Sequence, residues 1–204
     1  MPNVVFLTGS SGVGKSSLAE LLFRKHGFYI EALSARTPRA LINNPNFEIL
    51  EKFPHKGMAH QELVYTFFEE YIASKLAYID NLNIDANYLF EGDLIDVVGY
   101  SYAFSKQWTW HDYTAWLDFQ LCSVRMFRAR MKLKYTNINF FYVYVPINET
   151  VPYEAIEARP SKNIRNLCDE FIKLSDTFDI ALIPSNIETY ANEIVVNVSN
   201  PNIL

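Results

Sequence analysis

The sequence predicts an α/β fold in which a parallel sheet is covered by helices on both faces. Three observations predict it. Short apolar runs rich in β-formers, at residues 4–7, 88–90 and 140–145, read as buried strands. Segments with apolar residues at helical spacing lie between them. The two kinds alternate along the whole chain, which is the order of βαβ units and not of hairpins.

The elements follow in order. Val4-Val5-Phe6-Leu7 is the first strand, and a Gly/Ser loop follows it. Residues 15–26 carry Leu18, Leu21 and Leu22 at helical spacing, and Gly27 is placed to stop that helix. Residues 28–30 read as a second, short strand. Residues 34–60 are polar, with Pro38, Pro45 and Pro54, and read as loop with short helical pieces. Residues 61–79 form a helix whose stripe is Leu63, Phe67, Phe68, Tyr71, Ile72 and Leu76. The strand Tyr88-Leu89-Phe90 ends in Glu91-Gly92-Asp93, and a helix over 96–104 follows, with Asp96 read as its cap. An aromatic stretch, 108–116, leads into a helix over 113–131. Residues 140–145 are a strand closed by Pro146. Residues 162–178 are helical, 180–183 a strand, and 187–198 a helix or a helix–strand pair.

Composition sets the limits. The chain has 204 residues, 50% hydrophobic and 15% aromatic, enough to bury a full core as a single domain over 1–204. Charged residues are 20% of the chain, so wholesale disorder is excluded. A formal net charge of −5 argues against a non-specific nucleic-acid binder. Cys122 and Cys168 lie in helical segments without metal-like spacing and read as reduced, buried thiols. No segment approaches the roughly 20 apolar residues of a membrane span, and no leader is visible. The expectation is a cytoplasmic protein without a membrane partner.

The most specific signal is Gly9-Ser10-Ser11-Gly12-Val13-Gly14-Lys15-Ser16, continued by Ser17, which fits GxxxxGK[ST] in full. Gly9, Gly12 and Gly14 let the backbone turn and approach a phosphate. Successive N–H groups and the start of the following helix form an anion nest. Lys15 brings a compact positive charge to the β- and γ-phosphates, and Ser16 a hydroxyl for Mg²⁺. A chance match in a chain of this length is on the order of 1% at ordinary residue frequencies. The strand before and the helix after are the context the motif requires. The loop therefore predicts binding of ATP with Mg²⁺ through residues 9–17. A GTPase is disfavoured, because no NKxD-like signal occurs.

Three further sites lie where an open α/β sheet binds ligands. Glu91 and Asp93 end the third strand; one would reach Mg²⁺ and the other would accept the proton of an attacking hydroxyl, with turn or capping duty as the alternative. Arg36 and Arg39 follow the second strand, where they could fork onto an acceptor phosphate or ribose, or be ordinary surface arginines. Arg159, within a lid segment of about 149–165 that also holds Lys162 and Arg165, is the candidate to stabilise developing charge; a solvated helix-end charge is the alternative. The run Arg125, Arg128, Arg130, Lys132 and Lys134 does not share one helical face and reads as solvated. Trp108, Trp110 and Trp116 read as core or as the wall of an acceptor pocket.

This order of motifs resembles the P-loop kinase family that includes the nicotinamide-ribonucleoside kinase domain of the bacterial NAD regulator and many phage proteins. The resemblance covers most of the chain, and only its P-loop is highly specific. It implies a three-layer P-loop NTPase fold of the nucleotide-kinase type, with a five-stranded parallel sheet and a helical lid. It also implies ATP and Mg²⁺ on the donor side and a nucleoside or nucleotide acceptor. Arg36 matches the acceptor-side arginine and Arg159 a lid arginine. Where the relative has Asp-x-Asp, this chain has Glu91-x-Asp93. The tryptophan-rich segment has no counterpart, so the nicotinamide substrate does not carry over. The expected activity is transfer of the γ-phosphoryl of Mg-ATP to a nucleoside, nucleotide or nucleotide-like acceptor. The alternatives are a hydroxymethylated base already in phage DNA, and a P-loop ATPase or switch with no acceptor beyond water.

Overall fold

The computed structural model describes residues 1–31, 58–82, 85–105, 113–148, 162–175 and 178–199. They form five parallel strands: β1 (Asn3–Thr8), β2 (Tyr29–Glu31), β3 (Asn87–Glu91), β4 (Asn139–Tyr144) and β5 (Ile180–Ala181), in the order β2-β3-β1-β4-β5. Among the described residues six helices accompany them: α1 (Lys15–His26), α2 (Met58–Asn81), α3 (Leu94–Ser105), α4 (Tyr113–Lys134), α5 (Lys162–Leu174) and α6 (Ile187–Ser199).

β1 lies in the middle, paired with β3 on one side and β4 on the other. A central strand is buried on both faces, so its side chains are apolar whichever way they point. Val4 and Phe6 enter one core; Val5 and Leu7 enter the other, as the two-residue period of a strand requires. On the first face Phe6 stacks on Phe90 of β3 at 4.8 Å and on Tyr142 of β4 at 5.1 Å, a three-ring ladder across neighbouring strands.

The two cores make three layers. α1 and α6 cover Val5, Leu7, Leu89, Phe141 and Val143. α2, α3, α4 and α5 cover Val4, Phe6, Tyr88, Phe90 and Tyr142. α3 and α5 meet closely at Gly99, where an added Cβ would lie 2.9 Å from Ile172 Cγ1 and 3.0 Å from Cys168 Sγ. α1 stops as expected: the N–H groups of Gly27 and Phe28 donate to the carbonyls of Phe23 and Leu22.

Several boundaries differ from the sequence expectation. α2 begins at Met58 and α4 continues to Lys134, each longer than its apolar stripe suggests. α5 ends at Leu174, because the Ser175 N–H and hydroxyl turn back onto the last carbonyls, those of Phe171 and Ile172. Residues 187–199 are a single helix, with no strand after it among the described residues. Cys122 is exposed and only Cys168 is buried. Among the described residues no helix is long and apolar enough to cross a membrane.

Candidate active site

The loop after β1 is shaped by three glycines at positive φ, Gly9, Gly12 and Gly14. Gly9 sits at φ 151°, and a Cβ there would come within 2.4 Å of the Val145 carbonyl oxygen, so no larger residue fits without moving the backbone. Gly14 is the N-cap of α1 at φ 97° and supplies no side-chain cap. The first-turn N–H groups therefore have no side-chain acceptor from the cap, and that turn holds no acidic residue. An uncapped N-terminus with this polarity attracts an anion.

Lys15, the first residue of α1, folds back along the loop. Its ammonium donates to the Gly9 carbonyl and, at 3.1 Å, to the Ser10 carbonyl, and it stands 3.8 Å from an Asp96 oxygen. Ser16 donates its hydroxyl to Glu91 Oε2 at 2.8 Å. The parallel register of β1 and β3 sets Leu7 beside Glu91, which brings the end of β3 against the loop. A serine hydroxyl beside one carboxylate suits Mg²⁺, which takes one or two protein oxygens and completes its shell with phosphates and water. Among the described residues no group of three or more His, Cys, Asp or Glu could serve as an all-protein cage.

The two carboxylates that end β3 separate sharply. Glu91 reaches the loop, whereas Asp93 turns away into the core, 1% exposed. Asp93 Oδ1 accepts from the Leu94 N–H at 2.7 Å, and its carbonyl accepts from the Asp96 N–H at 3.0 Å, so it organises the start of α3. Its Oδ2 accepts from Arg128 Nε at 2.9 Å and also from Nη2. Arg128 is therefore not the solvated helix charge expected from sequence. It is 6% exposed, and its guanidinium lies 3.9 Å from the Tyr142 ring centroid. A planar cation that is more weakly hydrated than an ammonium tolerates this burial. The rest of that run scatters: Arg125 donates to the Ser175 carbonyl, Arg130 faces Glu69 and Lys132 faces Asp179.

Asp96 corrects a second expectation. It lies inside α3, not at its cap, and is 3% exposed. One oxygen accepts from Thr8 Oγ1 at 2.8 Å and from the Gly9 N–H at 2.9 Å. One turn further along α3, Tyr100 accepts from the Ser11 N–H. α3 thus holds the loop at two points on one helical face. Burial raises the Asp96 pKa, opposed by the charge of Lys15 and by the Gly9 and Thr8 hydrogen bonds. Sequence reasoning passed over this role because its partners lie 87 and 88 positions upstream.

α5 brings a further polar pair towards the same end of the sheet. Arg165 is buried, and Asp169, one turn on, accepts from Tyr144 Oη at 2.9 Å. Burial raises the Asp169 pKa, with the Tyr144 hydroxyl, Arg165 and Lys15 opposing it. Arg36, Arg39, Arg159, Trp108 and Trp110 lie outside the described residues; Trp116 falls within the first turns of α4.

No family model matches the chain, and no curated protein matches it. Solved structures do. Deoxyadenosine kinase from M. mycoides, with products dCMP and dCDP bound, aligns over 98% of this chain and 100% of its own, with TM-score 0.57 and 17% identity. The same enzyme with bound dATP aligns over 98% and 100%, with TM-score 0.55 and 16% identity. Shikimate kinase from Aquifex aeolicus covers 98% of each chain at 16% identity, with TM-score 0.46. The chain has a P-loop nucleoside/nucleotide-kinase-like fold. That fold resembles known kinase enzymes, and the likeness reaches this level rather than the nicotinamide-ribonucleoside branch.

Proposed function

We propose that the protein is an ATP-dependent phosphotransferase that moves the γ-phosphoryl of Mg-ATP to a nucleoside, nucleotide or nucleotide-like acceptor. The observation that carries this reading is the meeting of Ser16 with Glu91 at 2.8 Å, beside Lys15 and the uncapped N-terminus of α1. A hydroxyl, a carboxylate, an ammonium and a row of N–H groups then converge where a triphosphate would lie. The deoxyadenosine kinase structures, one of them holding dATP, support the acceptor and donor classes by analogy of fold.

In this reading the N–H groups of residues 9–17 that α3 does not already hold, those other than Gly9 and Ser11, bind the phosphates. Lys15 leaves the Gly9 and Ser10 carbonyls to neutralise the β- and γ-phosphates. Ser16 and Glu91 would hold Mg²⁺, which when bound supplies positive charge between the phosphate groups. Asp93, expected as a metal ligand or base, is committed to Arg128 and serves to anchor the turn after β3. Arg36 and Arg39 are assigned to the acceptor side and Arg159 to a closing segment, as their order along the chain suggests.

A DNA-borne acceptor is less favoured. The basic run that would have attracted a polyanion is divided between a buried pair with Asp93 and surface pairs with Glu69 and Asp179. The test is transfer from γ-labelled ATP to a panel of nucleosides, nucleoside monophosphates and duplexes carrying hydroxymethylated bases. Label on a free nucleoside or nucleotide is the expected result. Label on duplex alone would favour the DNA acceptor. Release of labelled inorganic phosphate with every acceptor would favour the ATPase reading and sink the kinase.

A further inference from the structure

Resting on the kinase reading, we propose that Tyr100 donates its phenolic hydrogen to the γ-phosphoryl group of ATP, as a second donor beside Lys15. One peptide unit, Ser10–Ser11, connects the two side chains. Its carbonyl accepts from Lys15 Nζ at 3.1 Å, and its N–H donates to Tyr100 Oη. The oxygen and nitrogen of one peptide are only about 2.3 Å apart, so the ammonium and the phenol stand within about 8 Å of each other. In a loop of this pattern the lysine is the group that meets the β- and γ-phosphates. Two hydrogen bonds and one phosphoryl group span the same distance, so a γ-phosphoryl lying along this peptide reaches both donors.

The phenol has a hydrogen to give. Tyr100 packs partly buried against the core beneath α2, α3, α4 and α5. Burial raises its pKa above the ordinary tyrosine value, which keeps the phenol neutral. A neutral phenol that accepts from the Ser11 N–H retains its own hydrogen. The Ser11 hydroxyl bonds to it as well. Among the described residues no carboxylate or carbonyl takes that hydrogen. Asp96, one turn back, gives one oxygen to Thr8 and Gly9, and its other oxygen stands 3.8 Å from Lys15. A hydrogen bond received at the phenol oxygen polarises the O–H and makes it a stronger donor.

α3 holds this hydroxyl in place. At Gly99 it packs on α5 with no room for a Cβ, and Tyr102 stacks on Phe171 of α5 at 4.9 Å. A donor fixed by a rigid helix needs no reorganisation as charge builds on the phosphoryl oxygens. The loop gives up the Ser11 N–H to α3, and α3 returns a phenolic O–H to the anion. The N–H groups further along the loop cradle the α- and β-phosphates. Tyr100 therefore separates a nucleoside triphosphate from a diphosphate, which lacks the group it meets.

Calorimetric titration of wild type and Y100F with MgADP, and with the imido analogue of MgATP, tests the assignment. In Y100F the affinity for the analogue should fall roughly ten- to hundredfold, as loss of a hydrogen bond to a charged group does. The affinity for MgADP should hold. A tyrosine that only steadied the loop would weaken both nucleotides together, because both place phosphates in the nest. Equal losses, or no loss with either nucleotide, overturn the assignment. If Y100F is recovered unfolded, 3-fluorotyrosine at position 100 keeps the shape and makes the phenol a stronger donor. The affinity for the analogue relative to MgADP should then rise, and an unmoved ratio overturns the assignment. The kinase reading fails separately, in the wild type. Binding of the analogue with no acceptor of the panel labelled sinks that reading and leaves the Tyr100 contact to be decided by the titration. A wild type that binds neither nucleotide overturns both.

Discussion

On the face of the sheet that carries α1 and α6, the core consists of Val5, Leu7, Leu18, Leu22, Leu89, Val143, Ile194 and similar apolar side chains. On the opposite face the core contains the ladder Phe90–Phe6–Tyr142, and among it stand buried ionisable groups: Asp93, Asp96, Arg128, Arg165 and Cys168. The first face is scaffold, where burial of hydrocarbon is enough. The second holds charges that cost free energy to bury, and two of them are tied to specific partners, Asp93 to Arg128 and Asp96 to Thr8 and Gly9. The phosphate loop is fastened to both. Val13 sinks into the scaffold core, while Asp96 and Tyr100 grip the Gly9 and Ser11 N–H groups from the other side. A loop held from both faces keeps its nest formed before the anion arrives, which is what preorganised electrostatic stabilisation needs.

The contrast can be broken at several points. The largest effect is expected at Lys15, which belongs to neither core. Lys15→Ala should lower phosphoryl transfer by about two to three orders of magnitude, as loss of a charged transition-state contact does. Its side chain bonds only loop carbonyls and stands near Asp96, so the fold should remain. Single-turnover transfer of labelled phosphate measures this, and wild-type turnover in the variant would remove the loop from the mechanism.

Next in size is the buried pair. Arg128→Met leaves Asp93 as an unpaired buried charge and should cost about 3–5 kcal/mol in urea unfolding. The double variant D93N/R128M should recover most of that loss, because the uncompensated charge is gone. A single variant as stable as wild type would mean that the pair is not buried as a unit. On the scaffold face, Leu22→Ala should cost about 3 kcal/mol through transfer and cavity terms. It should leave the KM for ATP unchanged, whereas Arg128→Met should alter kinetics as well, since Asp93 shapes the turn beside Glu91.

The pH dependence is carried by the second face. Burial raises the pKa of Asp96, and also of Asp169 and Glu69. A carboxyl group raised in the folded state holds its proton more tightly there than in the unfolded chain. Stability therefore falls as pH rises from the ordinary carboxylate range through the raised folded value, and it is greatest below that window. Asp96→Asn keeps an oxygen for the Gly9 and Thr8 donors but cannot ionise. Its stability should fall less steeply with pH across that window than that of wild type, and it should be the more stable protein at neutral pH. Thermal unfolding between pH 4 and 8 checks this; identical slopes would show that Asp96 does not titrate in that range.

The same contrast explains what could be read from the sequence. β1, the loop and α1 were legible because their signals are local: an apolar run, a glycine pattern and a helical stripe within residues 4–27. The five-stranded parallel sheet followed from the family resemblance, and Ser16 was expected to share Mg²⁺ with Glu91 or Asp93; the strand order and the choice of Glu91 needed the structure. Arg128 was misread because its partner is 35 residues away, and helical spacing alone shows only that a charged residue sits among other charges. Asp96 was misread because an acid near a helix start has an ordinary local duty as cap. Its actual donors, Thr8 and Gly9, meet it only once β1 and β3 are paired.

The smallest effect concerns the remainder of the basic run. Arg130 lies 3.4 Å from Glu69 with more than half of its side chain exposed, and Lys132 lies 3.9 Å from Asp179 at 50% exposure. Exposed pairs of this kind contribute about 0–1 kcal/mol and are screened by salt. Arg130→Ala and Lys132→Ala should each change stability by less than about 1 kcal/mol, within reach of careful urea titration. Neither should change acceptor KM if the acceptor is a small molecule. A duplex acceptor would behave otherwise. Each lysine or arginine on its path would contribute about one released counterion, so both variants would flatten the salt dependence of binding by about one unit of slope. Gel-shift at several salt concentrations therefore makes this pair of weak charges the most sensitive discriminator between a free nucleotide and a base carried in DNA.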